Sequence, residues 1–148
     1  MGDFELASID ELLSAAKAKR ETAPESDVVE VLLGGELAAF KFTEMPGDEW
    51  SELTVHNPPR EDVPVDQVRG YDVYAVTRRA AAVNGVLVDG DSESPVSADQ
   101  WEQIWPLLSA PDFQDICGSV WKLNEWAPRE RFEDAKKASR VAPDSKKK

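Results

Sequence analysis

The chain has 148 residues and a formal net charge of −12, with 29 acidic side chains against 17 basic ones. Such a length fits one domain with ragged ends, and so acidic a body repels phosphate backbones and anionic lipid, which argues against nucleic-acid or membrane binding. A single cysteine, Cys117, excludes an internal disulfide framework and a multi-cysteine metal site, and a single histidine, His56, removes most imidazole chemistry.

Apolar residues make up 41% of the chain, with five Trp, five Phe and two Tyr to fill a core. No apolar run approaches the roughly 18 residues needed to span a bilayer. The opening MGDFELASIDELL is acidic where a signal peptide is basic, and Met1-Gly2 lacks the Ser or Thr that a myristoylation pattern requires. The expectation is a soluble, cytoplasmic protein.

In chain order, Ser8-Ile9-Asp10-Glu11 has capping-box spacing and predicts a short helix over 8–19, followed by a polar linker to Asp27. Alone, so short a helix is marginal, so it docks on the body, docks on a partner, or frays. Two β-rich runs around Gly34-Gly35 predict a hairpin over 28–43, with Phe40 and Phe42 on one face. Pro46 opens a helix carrying Trp50 and Leu53, which Asn57-Pro58-Pro59 stops. A second helix is expected near 68–82, with Tyr71, Tyr74 and Ala75 on one side, and then a short strand near 86–88.

Ser97-Ala98-Asp99-Gln100 is a second capping box, opening a helix with Trp101, Ile104, Trp105 and Leu108 at helical spacing. Pro111 starts the next, where Phe113, Ile116, Cys117, Val120 and Trp121 form an i, i+3, i+4, i+7, i+8 stripe. Pro128 restarts a last helix with Phe132 and Ala135. The domain map is 1–27 helix and linker, 28–140 a helical domain with its hairpin at 28–43, and 141–148 a disordered basic tail. The fold class is mainly α, formally α+β, with four or five helices in the body. Charge follows this map: residues 1–126 hold 25 acids and 9 bases, while 127–148 hold 4 acids and 8 bases.

No catalytic constellation is present. His56 ends a helix, where it caps carbonyls, and Cys117 sits in an apolar stripe as an inert thiol. Asp89, Asp91 and Glu93 around Gly90 lack the glycine and glutamate spacing of a Ca²⁺ loop. Gly34-Gly35 lacks the Lys-Ser/Thr of a phosphate loop. No cofactor or metal is implied, and the chain reads as non-enzymatic. Trp101, Trp105 and Trp121 read as core. Trp50 and Trp126 are either core or interface anchors, since Trp is enriched at hot spots. In a regular helix Trp126 lies about 140° round from Trp121.

The order Phe40-Lys41-Phe42-Thr43-Glu44-Met45-Pro46-Gly47-Asp48-Glu49-Trp50, then His56-Asn57-Pro58-Pro59, then Gly70-Tyr71-Asp72-Val73 resembles the tail assembly chaperones of long-tailed bacteriophages infecting actinobacteria. Ser97-Ala98-Asp99-Gln100-Trp101 and Val120-Trp121-Lys122-Leu123-Asn124-Glu125-Trp126 fit the same family, and the likeness covers about 37–137. The resemblance implies a chaperone in the cytoplasm of the infected host cell. It would bind the tape measure protein, keep it soluble while the major tail tube protein assembles round it, and be absent from the finished virion. It further implies a longer form made by programmed ribosomal frameshifting, for which the codons of Lys146-Lys147-Lys148 are a conceivable slip site. Homo-oligomerisation stays open. Trp50, Trp126 and Phe132 are the partner-binding candidates. The alternatives are a structural virion component, such as a tail-completion or adaptor protein, and an acidic DNA mimic.

Overall fold

The Gly34-Gly35 dipeptide takes positive φ at both residues (58° and 83°), which joins β1 (Ser26–Leu33) to β2 (Glu36–Thr43) as a tight antiparallel hairpin. A computed structural model describes residues 8–146 of the protein, with side chains to residue 140. Residues 1–7 and 147–148, with the Met1-Gly2 opening and the last two lysines, lie outside it.

The hairpin is half of a larger sheet. β3 (Val86–Asp89) adds to β2 through Ala39↔Val88, Phe40↔Leu87 and Lys41↔Val86, and β4 (Ser92–Pro95) adds to β3. The order is β1-β2-β3-β4, all antiparallel. The hairpin at 28–43 and the short strand near 86–88 are both present; the unexpected strand is β4, which is too polar and short to show a strand pattern, and Pro95 is tolerated because β4 is an edge.

Helices cover one face of this sheet. Before β1 comes α1 (Ile9–Thr22), and after β2 come α2 (Gly47–Val55), α3 (Pro64–Arg69) and α4 (Val73–Asn84). α5 (Ala98–Ile104) and α6 (Ala110–Trp121) follow β4, so five α-helices lie between Gly47 and Trp121. The expected single helix over 68–82 is two helices. Gly70 ends α3 in the left-handed region (φ 88°), and the Asp72 side chain accepts the Ala75 N–H to start α4. Tyr71 falls between them and is buried, while Tyr74 is exposed. Pro106 likewise cuts α5 short, and Trp105–Leu107 form a 3₁₀ turn.

The core gathers Val29, Val31, Phe40 and Phe42 from the sheet with Val76 and Ala80 of α4, Trp101 of α5, and Ile116 and Val120 of α6. Trp101 stacks on Trp105 at 4.9 Å and tilts against Phe40 at 4.9 Å, so aromatic rings fill the space between sheet and helices. α6 lies along the β1 edge. Ser119 Oγ donates to Asp27 Oδ2 (2.7 Å) near one end, and the Leu32 N–H donates to Asp112 Oδ2 (3.1 Å) near the other.

A π-helical turn, Lys122–Trp126, carries α6 directly into α7 (Ala127–Lys146). Pro128 therefore sits inside a continuous helix, just after the π-turn, the kind of local bulge at which a proline ring and its missing N–H are accommodated. α7 also runs through 141–146, which the sequence reading placed in a disordered tail. Glu130, Glu133, Ala135, Lys136, Lys137 and Ala138 are strong helix formers just upstream, and the helix continues from them.

Candidate functional site

The π-turn places Trp126. Its backbone closes with the Ala127 N–H donating to the Lys122 carbonyl, five residues apart, one more than an α-helix allows. Residues five apart are near neighbours in such a turn, so Trp121 and Trp126 line the same side instead of standing about 140° apart. With Pro128 and Phe132 of α7 and Trp50 and Thr54 of α2 they wall an open groove of about 800 Å³.

The three sequence candidates thus come together, in different roles. Phe132 is 60% exposed and Trp126 48%, so both present apolar area to a partner. Trp50 is only 7% exposed, so of the two readings open for it, core or interface anchor, its burial fits the core. Its indole Nε1 donates to Glu125 Oε2 (2.9 Å), and its ring meets Tyr71 edge-on at 5.5 Å. Trp50 is the floor of the groove, fixed between α2 and the π-turn. Asn124 fixes the other side: its Oδ1 accepts the Met45 N–H (2.8 Å) and its Nδ2 donates to the Val120 carbonyl (2.8 Å).

Sequence reasoning gave Trp121 to the core. It is half-buried and lines the groove, with the Arg69 guanidinium 3.7 Å above its ring. Helical spacing could not reveal this, because the π-turn breaks the period that the spacing assumes. The charged groups of the groove are Glu125, held by Trp50, and Arg129. Lys136 Nζ lies 5.2 Å over the Phe132 ring. An apolar strip with a cation on its rim suits the apolar face of an amphipathic helix.

Elsewhere, His56 ends α2, and its Nδ1 donates to the Glu52 carbonyl (2.8 Å), the expected cap. Cys117 is buried beside Thr77, and burial pushes its thiol up. Glu93 pairs with Lys41 across the sheet, and Asp89 lies in the β3–β4 hairpin, where Gly90 turns at φ 62°. Among the described residues no three of His, Cys, Asp and Glu gather as a metal site would need, and no helix is long and apolar enough to cross a membrane. No protein-family model matches the chain, and neither a curated protein nor a solved structure matches it.

Proposed function

We propose that the chain is a non-enzymatic tail assembly chaperone that holds amphipathic helix of a tape measure protein in the groove floored by Trp50 and walled by Trp121, Trp126 and Phe132. One observation carries the reading: two large aromatic side chains, Trp126 and Phe132, stand 48% and 60% exposed in a single open groove beside the half-buried Trp121. Isolated exposed apolar side chains are ordinary, whereas a contiguous aromatic groove is the kind of surface that takes an apolar helix face. The ordered likeness of 37–137 to the chaperone family supports the same client.

The acidic body adds electrostatic steering toward a Lys-bearing helix and keeps the complex soluble. On this reading the client is passed to the major tail tube protein, a longer frameshifted form shares the task, and the protein acts in the host cytoplasm and leaves no copy in the particle.

Co-expression with the tape measure protein of the same genome tests the reading. Soluble yield of the client should rise, and the two chains should co-elute on size exclusion. A client that stays insoluble, or a chain found stoichiometrically in purified virions, would sink the proposal in favour of a structural virion component.

A further inference from the structure

We infer that two copies of this chain associate by laying helix α1 of each on the outer face of the other's sheet. The inference is independent of the chaperone reading and uses surfaces outside the groove.

α1 is a finished helix whose first turns have nothing against them; only Ala16, Lys19 and Arg20, toward its end, line a small cavity with Glu25, Glu44 and Arg131. Ser8 and Glu11 close a reciprocal capping box (3.1 and 3.0 Å), acids occupy its first turn, and Lys19 and Arg20 its last. Ile9, Leu12, Leu13 and Ala16 recur at i, i+3, i+4 and i+7 on one stripe. Yet none of the 14 residues is buried, and Ile9 and Leu12 are more than half exposed. A helix of this length is marginal in water without a surface to pack on.

The outer sheet face is such a surface. The register sets three rows across it: Val28, Lys41, Val86 and Pro95; then Glu30, Ala39, Val88 and Glu93; then Leu32 and Leu37. The core takes the alternate residues, Val29, Val31, Phe40 and Phe42, so the helical layer lies wholly on the other side. Val28, Leu32 and Leu37 are each half exposed or more on two neighbouring strands. Glu30 and Glu36 border this patch, and Lys17, Lys19 and Arg20 follow the stripe on α1. None of these five forms an ion pair among the described residues, so the two surfaces match in charge as well as in apolarity.

The hinge decides between the chain's own sheet and that of a second copy. Only Ala23-Pro24-Glu25 joins α1 to β1, and each end is tied down. The Ala23 N–H donates to the Lys19 carbonyl (2.8 Å), and the Glu25 carbonyl accepts the Glu44 N–H (2.9 Å). The Glu25 carboxylate also faces Arg131 of α7 at 3.8 Å. These ties stand the last turns of α1 beside Glu44 and Arg131, away from the patch centred on Leu32 and Leu37 at the far end of the hairpin. With one arm and one face per chain, reciprocal exchange covers both under two-fold symmetry.

Sedimentation equilibrium of the full chain over a concentration series should reach twice the chain mass. A Leu12→Asp, Leu13→Asp variant and a Leu32→Lys, Leu37→Lys variant should each halve that mass while keeping native Trp fluorescence, since all four side chains are exposed. A monomer at every concentration, or a dimer that survives either variant, overturns the inference. Site pairing tests geometry separately. A Leu13→Cys copy mixed with a Leu32→Cys copy should form a mixed disulfide dimer on oxidation. A chain carrying both cysteines that closes only on itself would show α1 on its own sheet and also overturn it.

Discussion

Arg60 closes on Asp66 with two nitrogens, Nε at 2.7 Å and Nη2 at 3.1 Å, although the Asp66 side chain has no surface open to solvent. The same carboxylate accepts the backbone N–H of Arg60 (3.0 Å) and of Val73 (3.1 Å). Arg60 in turn reaches Asp72, the cap of α4, at 3.2 Å, and lies over the Tyr74 ring at 4.5 Å. One buried carboxylate therefore fixes the loop from Arg60, the helix α3 and the start of α4. Asp66→Asn keeps the volume and removes the charge these donors converge on. It should cost about 2–3 kcal/mol, the scale of hydrogen bonds to a charged group, measured by urea unfolding.

Stability should fall in acid partly through the same group. The Arg60 guanidinium first, then the two backbone N–H groups, hold the Asp66 carboxyl below the usual carboxylate range against the opposing push of burial. A pKa lower in the folded than in the unfolded chain gives stability that is present above the unfolded value of about 4 and is lost as pH falls through the folded value. The stability gap between wild type and Asp66→Asn should be constant near neutral pH and shrink below about pH 4. A gap that widens in acid would contradict this assignment.

Gly85 shows how tightly the core is filled. A Cβ built there would lie 2.7 Å from Trp101 Cζ2, 2.8 Å from the Ala81 carbonyl oxygen and 3.0 Å from Phe42 Cε1. Its φ of −70° is ordinary, so the glycine is required by contact and not by backbone strain. Gly85→Ala should cost about 1–3 kcal/mol through overpacking, at the upper end because a carbonyl cannot step aside. The equivalent change at Gly118, where a Cβ meets nothing within 4 Å, should be tolerated and is the control.

What was legible in the sequence was whatever rests on local chemistry. Both capping boxes, at Ser8 and Ser97, the Gly34-Gly35 hairpin and the α6 stripe could be read because their determinants lie within a few residues of each other. Features set by distant partners could not. β4 has no apolar alternation and exists because β3 offers it an edge. Trp50 carries nothing locally that says it is buried, because its partners, Tyr71 and Glu125, lie 21 and 75 residues away. The groove was half legible: its aromatic residues were visible, but their convergence depends on a five-residue turn that α-helical periodicity does not contain.

Cys117 should behave as packing material. It is buried on the core side of α6, and desolvation raises its thiol pKa, so little thiolate forms near neutral pH. Reaction with a chromogenic disulfide reagent should be at least tens of times slower in the native protein than in guanidinium. Its rate should track the opening free energy as denaturant is added. Rapid labelling of the native chain would mean that α6 is far less tightly held than its packing beside Thr77 of α4 requires.

Trp50 and Trp126 line the same groove yet should fail in opposite ways. Trp50→Ala removes a buried indole, its edge contact with Tyr71 and the partner of Glu125, and should cost about 3–5 kcal/mol of stability. Trp126→Asp removes a half-exposed ring and should leave unfolding within about 0.5 kcal/mol of wild type. If the groove binds the client, the second substitution should weaken that binding by about 2 kcal/mol or more, some thirtyfold, as loss of an aromatic hot spot does. Phe132→Asp should act likewise, being more exposed still. Titration calorimetry against a tape measure helix, with thermal melts on the same samples, reads both axes. Binding retained by both surface variants would move the client elsewhere, whereas binding lost only with Trp50→Ala would mean that the groove matters as structure alone.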